Sequence, residues 1–132
     1  MDEHAESMGR LAGAVRAALG SGDLEAYADL LAPDVRWGPP GDPSPPCTSR
    51  RQVLAWYQRA RASGAGARVT EVTVVGDRLL VGLVVSGTEA ARGRGGQATR
   101  YQVLTVRDGR VAAIVGFDQR REALAHLGIP AA

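Results

Sequence analysis

The side chains suited to polar chemistry lie mainly in the second half of the chain. Arg100 and Gln102 are two residues apart, so in a β-strand both side chains point to the same face. An arginine and an amide can bind a carbonyl or carboxylate oxygen, but the amide cannot take up a proton near neutral pH. Asp118 is the acid of the terminal strand region, and two roles stay open for it: a general acid/base, or the N-cap of a following helix.

The aromatic residues and the cysteine are further candidates. Tyr57 suits either a pocket wall with a usable hydroxyl or a plain core position, and Trp37 flanks a proline-rich loop where it could pack or contact a ligand. Cys47 is the single cysteine, which excludes an intrachain disulfide, and no histidine neighbours it to favour a thiolate. His4 and His126 lie near opposite ends of the chain and make no metal pair, so we expect no metal site. We also expect no cofactor.

Length and composition limit the class of protein. With 132 residues, 45% hydrophobic and 23% charged, we expect one globular domain spanning residues 1–132. The basic residues are all arginine, the formal net charge is +2, and the signs are mixed along the chain, which argues against nucleic-acid binding. The longest apolar stretch, Leu79–Val85, is too short to span a membrane, and the acidic start lacks the apolar segment of a secretion signal. We therefore expect a soluble cytoplasmic protein.

Apolar spacing predicts helices in the first half of the chain. A helical period runs over residues 6–19, and Asp23 is the predicted N-cap of a second helix whose apolar face continues to Leu31 before Pro33 ends it. Residues 35–37 indicate a short strand. The proline-rich residues 38–46 form a loop, because proline lacks the backbone donor that helices and sheets use. A third helix, capped by Ser49, is predicted to run to about residue 62.

The second half changes to a period of two residues, which predicts strands. They are expected at 68–75, 78–88, 98–107 and 110–117. Tight turns are predicted at Gly76-Asp77 and Asp108-Gly109, and a longer arginine- and glycine-rich loop at residues 90–97. A last helix is predicted over residues 119–127, with Asp118 as its N-cap and Gly128 at its end. Helices followed by an antiparallel meander indicate an α+β fold.

The predicted turn at Asp108-Gly109 assigns the faces of the last two strands. It places Arg107 opposite Arg110 and extends that pairing along both strands. One face then carries Arg100, Gln102, Leu104, Val115 and Phe117, and the other carries Tyr101, Val103, Ile114 and Gly116. The first face is apolar and becomes polar toward one end, as expected of an enclosed pocket. The second face is apolar enough to need cover.

Several short segments, in this order, are similar to one family. They are Gly22–Ala26, Leu31–Val35, Arg50–Tyr57, Val106–Val111, Phe117-Asp118 and Leu127-Gly128, and together they extend over nearly the whole chain. The chain resembles the nuclear transport factor 2-like superfamily, in particular its SnoaL-like and ketosteroid isomerase-like branch. The resemblance implies an α+β cystatin-like roll, in which a cone-shaped, curved antiparallel sheet wraps around three N-terminal helices. It also implies a small-molecule pocket, and a homodimer through the outer sheet face, which partner subunits often cover in this superfamily.

The residues that the resemblance would require for two known reactions, steroid isomerisation and epoxide hydrolysis, are not all present in this chain. The base of the steroid isomerases would fall at about Pro39, their oxyanion-stabilising tyrosine at about Val15, and their protonated acid at Gln102. The epoxide-hydrolase branch keeps its arginine at Arg100, but Gln102 stands where the branch has an acid. Both reactions are therefore disfavoured. Polyketide cyclases that resemble the chain use an aspartate near the position of Asp118 as a general acid/base.

Two functions stay open. The first is a cofactor-independent acid/base enzyme of the cyclase, isomerase or dehydratase type that acts on a small apolar secondary metabolite. Arg100 and Gln102 would polarise an oxygen, and Asp118 would move the proton. The substrate-binding residues would be Trp37, Tyr57, Gln102, Phe117, Leu104 and Val15. The second is a module that binds or sequesters such a ligand without chemistry.

Overall fold

Three helices and one strand precede a four-stranded meander, and a short helix follows it, in the computed structural model of the protein. The structure describes residues 3–88 and 95–130. Within them the helices are α1 (Glu3–Ser21), α2 (Leu24–Asp29), α3 (Arg50–Ala62) and α4 (Arg120–His126). The strands are β1 (Leu31–Gly38), β2 (Gly66–Val75), β3 (Arg78–Ser86), β4 (Gln97–Arg107) and β5 (Arg110–Phe117). Residues 89–94, most of the predicted arginine- and glycine-rich loop, lie outside the described residues.

The strands form one curved, open sheet in the order β1-β5-β4-β3-β2. The meander from β2 to β5 is antiparallel, as the alternating pattern predicts. Strand β1 differs, because it pairs with β5 in parallel. A parallel neighbour needs a crossover connection rather than a hairpin, and here the chain returns to the sheet through α3. The fold is α+β, with a mixed rather than fully antiparallel sheet.

Strand β1 begins earlier than the sequence pattern indicates. Leu31, expected on the second helix, is already the first residue of the strand, and Pro33 lies inside the strand. The strand tolerates this proline because β1 is at the edge of the sheet and its pairing with β5 is irregular between Leu31 and Arg36.

The predicted helix caps are confirmed in two of three cases. The Asp23 carboxylate accepts a hydrogen bond from the N–H of Ala26 at 3.0 Å, and the Ser49 hydroxyl accepts one from the N–H of Gln52 at 3.2 Å. The prediction that Asp118 caps the last helix is wrong, since the N-cap of α4 is Gln119. The carboxylate of Asp118 pairs with Arg100 instead.

The observed pairing of β4 with β5 differs from the predicted one and places several side chains of β5 on the opposite face of the sheet. The turn at Asp108-Gly109 places Arg107 opposite Arg110, as predicted. A bulge follows, because Val106 pairs with Val111 whereas Thr105 pairs with Ala113. One extra residue on one strand moves all later side chains to the other face. Ile114 and Gly116 therefore share the inner face with Leu104 and Gln102. The predictions that Val115 and Phe117 lie on that face are wrong, because both pack in or against the core on the other face.

Two hydrophobic cores lie on opposite faces of this sheet. The inner core fills the space between the sheet and α1 to α3; its buried members include Leu11, Val15, Tyr27, Val53, Leu79, Val81, Leu104 and Ile114. The outer core lies beneath α4 and is formed by Leu80, Val103, Phe117, Ala123 and Leu127. Helix α4 thus covers part of the face that the sequence assigned to a partner subunit, and the homodimer stays a prediction. Among the described helices, none is both long and apolar enough to cross a membrane.

Candidate functional site

A pocket of about 260 Å³ opens where β1 meets the proline-rich loop. We call it the mouth pocket; it is lined by Trp37, Gly38, Pro39, Pro46, Cys47, Trp56, Arg100 and Gly116. The loop folds back on β1 because Trp37 and Cys47 exchange two backbone hydrogen bonds, of 2.9 and 3.3 Å. Position 38 must be glycine for this close approach, since a Cβ there would lie 2.6 Å from the ring of Pro45.

Aromatic rings form one wall of the mouth pocket. Trp37 stacks on Tyr57, with ring centroids 5.1 Å apart and 14° between the planes, and it meets Trp56 edge to face at 4.8 Å. Trp56 is 45% exposed, so an apolar ligand that covers it would remove a large hydrophobic surface from water. The Cys47 thiol also lines the pocket, but burial raises its pKa more than the nearby charge of Arg59 lowers it. A protonated, buried thiol is a poor nucleophile.

An ion pair lies at the rim of the mouth pocket. Asp118 directly follows Phe117, the last residue of β5, whose partner on β4 is Tyr101, the neighbour of Arg100. The Arg100 guanidinium donates a hydrogen bond to the Asp118 carboxylate. Both side chains reach solvent, at 39% exposure for Arg100 and 66% for Asp118. Such an exposed pair adds little to stability and can open at small cost when a ligand arrives.

A buried polar cluster lies behind the mouth pocket. We call it the Tyr27–Tyr57–Gln102 cluster. The Gln102 side chain, in a residue only 7% exposed, donates from Nε2 to the Tyr57 hydroxyl at 3.5 Å. The rings of Tyr27 and Tyr57 meet edge to face at 5.6 Å. Burial raises the pKa of both tyrosines, that of Tyr27 well above its usual range, so both hydroxyls stay protonated.

Two polar atoms of this cluster lack a hydrogen-bond partner among the described residues. They are the hydroxyl of Tyr27 and Oε1 of Gln102. The Tyr57 hydroxyl helps to raise the pKa of Tyr27, but it does not meet the usual distance and angle limits for a hydrogen bond with the Tyr27 hydroxyl. Nearly all buried polar atoms in native proteins are hydrogen-bonded, so these two atoms need an explanation.

Comparison with known proteins assigns the family. The family model described as the SnoaL-like domain matches residues 12–114, most of the chain. The chain belongs to the SnoaL-like domain family. No curated protein matches it.

Solved structures share the fold of this SnoaL-like protein. A proposed polyketide cyclase from Sinorhizobium meliloti is 27% identical with a TM-score of 0.63, and the match covers 84% of this chain and 98% of that one. A proposed ketosteroid isomerase from Kribbella flavida is 24% identical with a TM-score of 0.69, over 90% and 87% of the two chains. An LEH-like epoxide hydrolase from M. tuberculosis is 16% identical with a TM-score of 0.61, over 96% and 92%. The last two likenesses show the fold alone.

The structure brings together most of the site residues predicted for this SnoaL-like protein. Trp37 and Arg100 line the mouth pocket, Asp118 is at its rim, and Tyr57 and Gln102 lie behind it. Their contact with a substrate stays a prediction.

Three predicted substrate-binding residues lie elsewhere. Val15 and Leu104 are fully buried in the inner core and are not among the residues that line the mouth pocket. Phe117 packs in the outer core beneath α4, because the bulge in β5 turns it away from the inner face.

Sequence reasoning missed two residues of this region. Tyr27 lies on the apolar face predicted for the second helix, and a tyrosine on a buried face brings a hydroxyl that needs a partner. The prediction that Gly116 lies on the face opposite Gln102 is wrong, because its place on the inner face depends on the bulge. Among the described residues, no group of three or more His, Cys, Asp or Glu side chains could hold a metal ion.

Proposed function

We propose that this SnoaL-like protein binds a small, largely apolar secondary metabolite in the mouth pocket and catalyses a cofactor-independent acid/base reaction on it, of the cyclase, isomerase or dehydratase type. One observation carries the proposal: the pair of Arg100 and Asp118 lies at the rim of a pocket walled by Trp37 and Trp56. Arg100 can therefore bind an oxygen of the ligand, and Asp118 can accept a proton from it, at the place where an apolar ligand would enter the pocket. The 27% identity to a proposed polyketide cyclase supports this reaction class.

The proposed reaction uses the pair in a single proton cycle. The ligand's apolar part covers the two tryptophan rings, and Arg100 turns from Asp118 to a carbonyl oxygen of the ligand. The Asp118 carboxylate takes a proton from the carbon next to that carbonyl, and Arg100 stabilises the negative charge that develops on the oxygen. Asp118 then returns the proton, to another carbon in an isomerisation, or to the oxygen of a second carbonyl that the new carbanion has attacked in a cyclisation.

The other groups of the pocket suit binding rather than proton transfer. Burial raises the pKa of both the Cys47 thiol and the Tyr57 hydroxyl, so neither acts as a base near neutral pH. Gln102 has no proton to exchange in this range and serves to orient a polar group.

A second candidate function is ligand binding without chemistry. The observation that favours it is the 66% exposure of the Asp118 side chain, because a carboxylate so open to water lacks the enclosed setting typical of catalytic bases. In that case Asp118 only holds Arg100 in place at the pocket rim.

Proton exchange in a simple aromatic ketone separates the two functions. With 1-tetralone in D2O, we expect the wild-type protein to speed loss of the proton signal next to the carbonyl, followed by NMR. Asp118→Asn is expected to lower that rate by about a hundredfold or more, while the affinity for the ketone changes by less than about threefold. The cap of α4 is unaffected, because Gln119 supplies it.

The matched control is Asp108→Asn, which removes the same charge in the distant β4–β5 turn. Asparagine tolerates the positive φ of 54° at that position, so the fold and the exchange rate should be unchanged. Equal exchange by wild type and Asp118→Asn would remove Asp118 from the mechanism. Binding of the ketone without any exchange in the wild type would favour the binding module.

A further inference from the structure

The two unpartnered atoms of the Tyr27–Tyr57–Gln102 cluster are chemically complementary. Oε1 of Gln102 can only accept a hydrogen bond, and the Tyr27 hydroxyl can donate one. An unmade hydrogen bond at a buried polar atom is costly, so a group that joins the two would be held firmly. The group must donate to one atom and accept from the other, as a hydroxyl does.

The cluster is next to the mouth pocket, because Gln102 pairs with a residue that lines it. Gly116 lines the pocket, and it is the direct cross-strand partner of Gln102 on the inner face of the sheet. Since Gly116 has no side chain, the Arg100 guanidinium lies over this position, 3.2 Å from where a Cβ would stand. Arg100 is partly exposed and is held there by Asp118 at the rim. Movement of this one long side chain would uncover Gly116, next to Gln102.

The cluster itself is uncharged, which limits the chemistry of its ligand. A carboxylate placed between two tyrosines and an amide would lose its hydration without a cation from the cluster to replace it. A ketone or ether oxygen can accept from Tyr27 but leaves Oε1 of Gln102 without a donor. A neutral hydroxyl has both the donor that Oε1 of Gln102 lacks and an acceptor for the Tyr27 hydroxyl.

We propose that Tyr27, Tyr57 and Gln102 form the inner end of the ligand site and bind a neutral hydroxyl group of the ligand: an alcohol, an enol or a phenol. This inference rests on the proposed function, because it assumes that a ligand enters through the mouth pocket. It adds a class of ligand and assigns Tyr27 a role in specificity.

Two probes that differ only at the oxygen test the proposal. By isothermal titration calorimetry at pH 7, p-cresol is expected to bind about tenfold or more tightly than 4-methylanisole, which has the same ring but cannot donate a hydrogen bond. In both Tyr27→Phe and Gln102→Leu, the preference is expected to fall below about threefold, through weaker binding of p-cresol. Tyr101→Phe, the same change on the opposite face of β4 beside Gln102, is expected to keep it.

The outcomes separate this inference from the proposed function. Equal affinity for the two probes in the wild type would overturn the hydroxyl site and leave the mouth pocket in place. A cresol preference that survives both Tyr27→Phe and Gln102→Leu would place the hydroxyl elsewhere, such as on Asp118, and would also overturn it. Absence of binding for both probes up to about 10 mM would contradict the pocket itself and so the proposed function. Circular-dichroism melting confirms that each variant is folded.

Discussion

Tyr27 and Tyr57 place two hydroxyls in the same buried region, but only the Tyr57 hydroxyl has a hydrogen-bond partner among the described residues. Tyr57 accepts a hydrogen bond from Gln102, whereas the hydroxyl of Tyr27 has no partner among the described residues. Both rings pack tightly, Tyr57 against Trp37 and Tyr27 against Tyr57. Loss of either hydroxyl would therefore keep the packing and change only the hydrogen bonding, which makes the two residues a matched pair.

This difference predicts opposite effects on stability in the ligand-free protein. Tyr27→Phe is expected to leave the free energy of unfolding unchanged to within about 0.5 kcal/mol, or to raise it, because it removes a buried polar atom without a partner. Tyr57→Phe is expected to lower it by about 1 kcal/mol, because it leaves Nε2 of Gln102 unpaired. Urea unfolding followed by circular dichroism measures both, with Tyr101→Phe as the control. A larger loss for Tyr27→Phe than for Tyr57→Phe would show that the Tyr27 hydroxyl is already satisfied.

At the scale of elements, polar contacts at both ends attach α4 to the outer face of the sheet. The Arg120 guanidinium makes two hydrogen bonds of 2.9 Å to the carboxylate of Glu71 on β2. At the other end of α4, Arg78 on β3 donates to the carbonyls of His126 and Leu127. These contacts hold α4 over the outer core, in which Phe117 lies.

The ion pair of Glu71 and Arg120 predicts a pH-dependent contribution. The hydrogen bonds from Arg120 hold the pKa of Glu71 below its ordinary value of 4.5, although burial opposes them. A carboxylate whose pKa is lowered by folding stabilises the protein above its unfolded-state pKa, and that contribution is lost as the pH falls through the folded value. Glu71→Gln should therefore lower the urea midpoint at pH 7, with the difference disappearing well below pH 4.5. Glu6→Gln, which removes an exposed carboxylate on α1, is the control, and a difference that persists in acid would contradict the ion pair.

Signals that act within a few residues predicted the helix caps and the hairpin turn well. The pairing between strands was harder to predict. Asp23, Ser49 and the Asp108-Gly109 turn act through atoms a few residues away, so their roles follow from residue type and spacing alone. The bulge in β5 could not be predicted, because the run from Val111 to Phe117 is apolar at nearly every position and fits either register. The same ambiguity hid the place of Gly116 and put Phe117 on the wrong face.

In the site, too, contacts between separate elements could not be predicted from the sequence. Arg100 and Gln102 could be assigned to one face because they lie on a single strand, and that assignment needs no partner strand. The contact between Arg100 and Asp118 depends on the pairing of β4 with β5, and the position of neither residue in the sequence reveals that pairing. Tyr27 joins the cluster through packing of α2 against α3, which no spacing along the chain reveals.

At the scale of the whole molecule, one sheet serves both cores. Alternate residues of β4 point in opposite directions, so that Leu104 is fully buried in the inner core and Val103 in the outer core. Because the two cores share the sheet, unfolding of the sheet would disrupt both of them. We therefore expect the chain to behave as one domain, with its two cores unfolding together.

Coincidence of two probes tests this expectation. The tryptophans, Trp37 and Trp56, lie on the inner side of the sheet, so their fluorescence reports the inner core during urea unfolding. The amide of Leu127, which donates to the carbonyl of Ala123 in α4, reports the outer core by hydrogen exchange in low concentrations of urea. The free energies of opening from the two probes should agree to within about 1 kcal/mol. If the amide of Leu127 exchanged at a much lower free energy than the fluorescence transition, α4 would be detaching alone, and Phe117 would then become exposed before the mouth pocket is lost.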